Sequence, residues 1–224
     1  MITFDSVTKK YGKSIVLDNV TFSIQKGEFV SIVGPSGAGK TTLIHALIGA
    51  DKLTDGEIKV DNFNVTYADS VDLQAYRRKI GTVFQDYKLL PKKTVYENIA
   101  FALEVCGYDK KTIQRIVVEA MRKTGLENQR NHYPRQLSGG ERQRTAIARA
   151  IVHAPEILIA DEPTGNLDDD NARQITELLL KLNRDGTSVI LATHDKSIVN
   201  AMKKRVIKLE QGQIVSDKHE AEYD

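Results

Sequence analysis

Residues 29–42 read FVSIVGPSGAGKTT: an almost wholly apolar run, then a glycine-studded turn, a lysine and two threonines. Unbroken apolar runs of this length are buried on both faces, as in the middle of a parallel sheet. The turn fits the pattern G-x-x-x-x-G-K-[ST] through Gly34, Gly39, Lys40 and Thr41, with Pro35, Ser36, Gly37 and Ala38 between and Thr42 after. Glycines let successive backbone N–H groups turn inward on phosphate oxygens, where a side chain would collide. Lys40 adds a point charge for the β- and γ-phosphates, and the Thr41 hydroxyl is a ligand for Mg²⁺. A helix beginning there aims its positive N-terminal end at the same anion. A glycine-rich turn matching by chance is expected in roughly one chain in a hundred of this length, given average residue usage. The strand before and the helix after lower that figure. Residues 34–42 are therefore a candidate phosphate cradle.

Three more apolar runs follow, IGTVF at 80–84, EILIA at 156–160 and SVILAT at 188–193. Helical periodicity occupies 40–49, 94–106, 110–124, 141–153 and 170–184. Apolar strands alternating with helices predict an α/β core with right-handed crossovers. Residues 1–30 instead alternate apolar and polar, with a turn at Lys26 and Gly27, and predict short antiparallel strands. The segment from about 86 to 152 is helical without a clear strand, so it reads as an inserted subdomain. RVIKLEQGQIV predicts a hairpin around Gln211 and Gly212, and residues 216–224 a disordered tail.

Ligands of open α/β sheets bind beyond the carboxyl ends of the strands, and each run ends in a residue suited to phosphoryl transfer. EILIA leads into Asp161, which can hold Mg²⁺, and Glu162, which can polarise an attacking water. SVILAT leads into His194, placed to bond a γ-phosphate. IGTVF leads into Gln85, long enough to reach Mg²⁺ or the water. Two have plainer alternatives: carboxylates capping the turn DEPTGNLD, and a structural histidine. Four suitable tips together make coincidence a poor account. Tyr11, upstream of the cradle, can stack on adenine or be an ordinary surface tyrosine. No N-K-x-D motif points to guanine.

Lys plus Arg number 32 against 30 Asp plus Glu, a formal net charge of +2, which gives no support for a nucleic-acid-binding face. One cysteine, Cys106, excludes an internal disulfide and fits a reducing compartment. The start, MITFDSVTKKYGK, lacks a signal-peptide pattern, and no apolar run approaches the ~20 residues that cross a bilayer. The expected location is cytoplasmic, with a membrane reached through a partner.

A second glycine pair, in LSGGE, has no phosphate nearby in sequence. Ser138 and Glu141 have capping-box spacing for the helix that follows. Gly139 and Gly140 are left over, costly in a helix but suited to anion binding through bare amides. GPSGAGKT, Gln85, LSGGE, ILIADE, GNLD and His194, in that order, make the chain resemble an ABC-type ATPase subunit over nearly its whole length. The resemblance implies a single ABC nucleotide-binding domain over 1–224: a P-loop NTPase core, an N-terminal antiparallel β-subdomain and the inserted helical subdomain. It implies a homodimer in the ATP-bound state, with Ser138, Gly139 and Gly140 of one copy on the γ-phosphate held by the other. It also assigns Tyr11 to adenine, Thr41, Gln85 and Asp161 to Mg²⁺, Glu162 to general base, and Asp168 to the contact between copies. Glu141 departs from a common Gln, Ala160 from a bulkier residue, and GNLD from SALD; none removes a catalytic group.

DEPTGNLD resembles ATPases of lipoprotein release, macrolide export and cell division. FQDYKLLPKKTVYENIAFALEV, residues 84–105, resembles the cell-division branch, whose integral membrane partner is FtsX. In the family this segment receives the partner's cytoplasmic helix, and a helix in a groove wants apolar anchors ringed by charge. Leu89, Leu90, Lys92 and Lys93 are the expected docking residues, with Val95 and Phe101 further candidates. Packing within the chain is the preferred reading for Val95, Ile99, Ala102 and Leu103. Three functions follow: an ATP-hydrolysing motor that moves a membrane partner and so activates cell-wall hydrolases, the ATPase of a lipoprotein or macrolide/peptide exporter, or an ATP-switched structural recruiter at the division site.

Overall fold

The computed structural model describes residues 1–219. β1 (Ile2–Tyr11) and β2 (Ser14–Ile24) pair antiparallel from Ile2 opposite Ile24 to Tyr11 opposite Ser14. β4 (Asp55–Val60) lines the other side of β1, and β5 (Phe63–Asn64) pairs with β4. Alternation along the strands, shifted by one residue at irregularities around Ser6 and Asn19, sends Phe4, Val7, Leu17, Val20 and Phe22 into the core, where Phe4 and Phe22 stack with centroids 4.3 Å apart. The turn at Lys26 and Gly27 carries the chain from this sheet to the next.

The second sheet holds β3 (Phe29–Val33), β6 (Ile80–Val83), β7 (Ile157–Asp161), β8 (Ser188–Thr193), β9 (Arg205–Glu210) and β10 (Gln213–Lys218). Its order is β10-β9-β3-β8-β7-β6, parallel throughout except for β10. Every residue of β3, β7 and β8 is buried, as their unbroken apolar runs require. Residues 216–218, expected in a disordered tail, instead complete β10. Arg205 explains the difference: it forks onto Asp217 at 2.8 and 2.7 Å while also donating to Ser23 O and Glu28, which anchors the edge strand. The last of that tail, 220–224, lies outside the described residues.

α1 (Lys40–Leu47), α2 (Ser70–Arg77), α6 (Asp169–Arg184) and α7 (Lys196–Met202) accompany the strands. Between β6 and β7 lie α3 (Val95–Val105), α4 (Lys110–Thr124) and α5 (Gly139–Ile151). Val95, Ile99, Leu103, Ile113, Val117 and Met121 form one core among these three helices. α5 has a second apolar face: Ala146, Ile147 and Ala150 join a core that includes Leu158, Leu179 and Leu191. α5 therefore splices the helical layer to the sheet. Among the described residues, no helix is long and apolar enough to cross a membrane.

Candidate active site

Of the seven α-helices among the described residues, six begin with a side-chain cap, from Asp69, Thr94, Asp109, Ser138, Asp168 and Asp195. α1 alone has none; its N-cap is Gly39, left-handed at φ 106°. The first-turn amides of a helix lack intrahelical acceptors, so α1 presents uncapped donors and the positive end of its dipole to whatever faces it. Glycine is obligatory at that cap. A Cβ on Gly39 would stand 2.8 Å from Val16 O and 2.9 Å from a Leu17 methyl, and the left-handed backbone disfavours any other residue. Gly34 is held as tightly, since a Cβ there would fall 2.1 Å from Leu209 O.

The cavity facing α1 holds about 380 Å³. Ser36, Gly37, Gly39, Lys40, Thr41 and Thr42 form one wall, and Gln85, Glu162 and His194 stand opposite, with Val16 at the edge. The tips of β3, β6, β7 and β8 thus converge as their sequence predicts. Pro35 is exposed and Ala38 is buried beneath the turn. A larger cavity, about 510 Å³, lies elsewhere, near Lys26, Ile80, Ile157 and Ser188 at the opposite strand ends. Two of its cations pair with its own carboxylates, Met1 with Asp61 and Lys26 with Glu156, and among the described residues no helix opens onto it as α1 does onto the first cavity.

Lys40 is nearly buried and donates to the carbonyls of Gly34 (2.8 Å) and Pro35 (3.2 Å), with Glu162 Oε1 at 3.7 Å. Glu162 is mostly buried, and its backbone is left-handed at φ 48°. Its two oxygens are held separately: Oε1 by His194 Nδ1 at 2.8 Å, Oε2 by the Thr193 hydroxyl at 3.3 Å. Because an ionised carboxylate only accepts, the imidazole carries its proton on Nδ1 in this pairing. Asp161 sits deeper, and burial pushes its carboxyl above the ordinary value, opposed by a hydrogen bond from Thr41 and reinforced by the nearby charge of Glu162. Its Oδ1 is buried without a hydrogen-bond partner among the described residues. A buried acceptor left without a proton donor, beside a threonine hydroxyl, suits a hard cation with oxygen ligands; Thr41, Gln85 and Asp161 are therefore a fitting set for Mg²⁺.

Tyr11 does not line the cavity. It is half exposed near Thr42, donates to Asp51 Oδ2 at 2.7 Å, and lies under Lys9 Nζ at 4.7 Å. The Asp51 carboxylate, through that bond, raises its phenol above the usual value. Ser138, Gly139 and Gly140 are likewise outside the cavity lining. Ser138 caps α5 reciprocally with Glu141. Gly140 has a reason within the chain that its sequence did not disclose: a Cβ there would lie 2.0 Å from Asn171 Oδ1. Asn171 in turn donates to Asp168 Oδ2 at 2.7 Å, so Gly140 and Asp168 meet the same side chain. Of the docking residues, Leu89 packs against the core shared with Leu158, while Leu90 faces a separate groove. Sequence reasoning missed Thr193, Asn166 and Arg149, which hold Glu162, Gln85 O and the carbonyls of Tyr87 and Lys88.

Residues 17–165 match the ABC transporter family. Over 224 residues the chain is 50% identical to the cell division ATP-binding protein FtsE of Streptococcus pneumoniae, covering 100% of this chain and 97% of that protein. It is 48% identical over 225 residues to FtsE of Mycobacterium tuberculosis, covering 100% and 98%. Among solved structures, a dimeric ATP-binding cassette in a post-hydrolysis state, bound to ADP and Pi, superposes with a TM-score of 0.90 at 38% identity, covering all of both chains.

Proposed function

The chain belongs to the ABC transporter family of ATP-binding subunits, whose members hydrolyse ATP, and from that premise we propose that it is the ATPase of a cell-division complex. Relatives carrying the cell-division name match it from end to end, and the cavity before α1 supplies the chemistry.

ATP lies with its phosphates on the amides of residues 34–42, Lys40 neutralising the β- and γ-phosphates and Tyr11 flanking the adenine. Glu162 accepts a proton from water as the water oxygen bonds to the γ-phosphorus. The bond from that phosphorus to the β–γ bridging oxygen breaks, releasing ADP and phosphate. His194 and Thr193 hold the carboxylate so that one oxygen stays aimed at the water. Thr41, Gln85 and Asp161 would hold Mg²⁺, which when bound spreads the charge developing on the phosphates. Ser138, Gly139 and Gly140 of a second copy close on the γ-phosphate, and Asp168 meets its counterpart across the dimer.

The observation that carries this reading is the pair of held oxygens on Glu162, opposite an uncapped helix. It tests directly. Glu162→Gln retains ATP binding and accumulates as a dimer on gel filtration, while kcat falls about 10²–10⁴-fold, the usual worth of a general base. Equal hydrolysis by wild type and variant would remove Glu162 as the base.

The partner fits a groove of about 490 Å³. Leu90, Phe101, Ala102 and Val105 supply its apolar surface, and Arg77, Arg78 and Lys88 its positive rim. Phe101 and Val105 are exposed, the Phe101 ring lying under Lys93 Nζ at 5.9 Å. A cytoplasmic helix of an FtsX-like integral membrane protein, apolar on one face, suits it. Leu89, turned into the core, then supports the groove from beneath, and Lys92 and Lys93 stand near its edge.

A further inference from the structure

Between Gln85 and the partner groove, two consecutive residues, Tyr87 and Lys88, are left-handed, at φ 60° and 47°. Neither is glycine or asparagine, and such a conformation is disfavoured for each. It persists only where the surroundings over-determine it. Arg149, near the end of α5, provides that: Nη2 donates to Tyr87 O at 2.9 Å and Nη1 to Lys88 O at 2.6 Å. Among the described residues no carboxylate pairs with Arg149, although burial lowers its guanidinium below the usual value. A charge drawn out of water and spent on two carbonyls is placed for geometry, since a guanidinium fork fixes two acceptors at once. Arg142, about two α5 turns earlier, covers the Tyr87 ring at 5.4 Å.

The neighbours of this pair are pinned independently. Gln85 O accepts from Asn166 Nδ2 at 3.3 Å, and its side-chain amide nitrogen lies 3.2 Å from where a Cβ on Gly165 would stand. Leu90 exchanges hydrogen bonds with buried Asn98 through both its N–H and its carbonyl. The turn at 87–88 joins these two pinned points, so its path and the setting of Gln85 are coupled.

We infer that Arg149 is a positioning residue: its fork holds the left-handed turn at Tyr87 and Lys88 that presents Gln85 to the nucleotide site. This rests on the reading of Gln85 as a site residue. The same helix opens at Ser138, some 15 Å away along its axis at ~1.5 Å per residue. A tilt of α5 caused by a second copy's phosphate then reaches Gln85 of this copy through one side chain.

The test compares wild type, R149A and R149A/K88G as full-length chains. R149A raises the Mg²⁺ concentration for half-maximal ATPase activity and lowers kcat about 10-fold or more, with KM for ATP within about twofold, because the cradle is untouched. Independently of activity, the amides of Tyr87 and Lys88 exchange hydrogen about 10-fold faster or more as the turn opens. Glycine enters the left-handed region freely, so adding K88G restores both properties substantially. A role in packing α5 alone would not respond to glycine at 88. Unchanged amide exchange in R149A, or no rescue by K88G, overturns the inference. If Q85A behaves kinetically as wild type, the reading of Gln85 fails instead, and the exchange data still decide whether Arg149 holds the turn. Should R149A not fold, R149K keeps the charge but only one point donor; faster exchange at Tyr87 or Lys88 then supports the fork, and unchanged exchange overturns it.

Discussion

Glu162 works from a backbone that most residues avoid, and its carboxylate is held at both ends. The two supports are unequal. His194 Nδ1 lies at 2.8 Å and the Thr193 hydroxyl at 3.3 Å, and a shorter, straighter bond orients better. His194→Ala should therefore lower kcat about 10²-fold, near the lower bound for losing a base, while leaving KM for ATP nearly unchanged. Steady-state kinetics check this; a fall confined to KM would instead make His194 a binding group. The placement of Asp161, Glu162 and His194 was legible in the sequence because each ends or directly follows a strand, and that of Lys40 because it opens α1 after the glycine-rich turn. Arg149 was not, since its partners are backbone carbonyls 61 and 62 residues away, and a carbonyl is the same at every residue. The second reason for Gly140, the oxygen of Asn171, escaped for the same cause: close packing between α5 and α6 has no signature in either helix alone.

At the scale of elements, that contact predicts a stability effect. Gly140→Ala places a methyl group where Asn171 Oδ1 sits, and overpacking of this kind costs about 1–3 kcal/mol. Urea unfolding should show it, and should show it largely cancelled when G140A is measured against an N171A background, since the two residues couple directly. An uncoupled pair would mean that α6 yields. The helix caps add a pH dependence. A backbone N–H at Thr94 depresses the Glu97 carboxyl, hydrogen bonds from Thr112 depress Asp109, and the N–H groups of Ser138 and Asn171 depress Glu141 and Asp168. Carboxyls that bind protons less readily when folded contribute stability above their unfolded values near ~4, and lose it as pH falls through the lower folded ones. The urea midpoint should accordingly drop below about pH 4.5, and less steeply in E97Q/D109N, whose caps no longer titrate. The order of elements and the long helices were readable from period and apolar runs. β4, β5 and α7 are short and weakly apolar and leave no such mark, and the end of β10 leaves none because its anchor, Arg205, acts through charge rather than pattern.

For the whole molecule, the nucleotide cavity and the groove proposed for the partner are separated by one strained turn, so partner capture and hydrolysis should be separable by mutation. Phe101→Ser with Val105→Ser, both exposed and outside the nucleotide cavity, should leave the thermal midpoint and ATP binding unchanged while abolishing co-purification of the membrane partner. Undiminished capture would move the docking surface elsewhere. The strand order carries a further consequence, in time rather than space. β3, which bears the phosphate cradle, is hydrogen-bonded only to β8 and β9 among the described strands, and both come from the last fifth of the chain. A ribosome that has just made residues 29–42 has made a strand without neighbours, and at ~5–20 residues per second it waits on the order of ten seconds for them. On the ribosome the phosphate cradle thus stays without its flanking strands until nearly all of the chain exists.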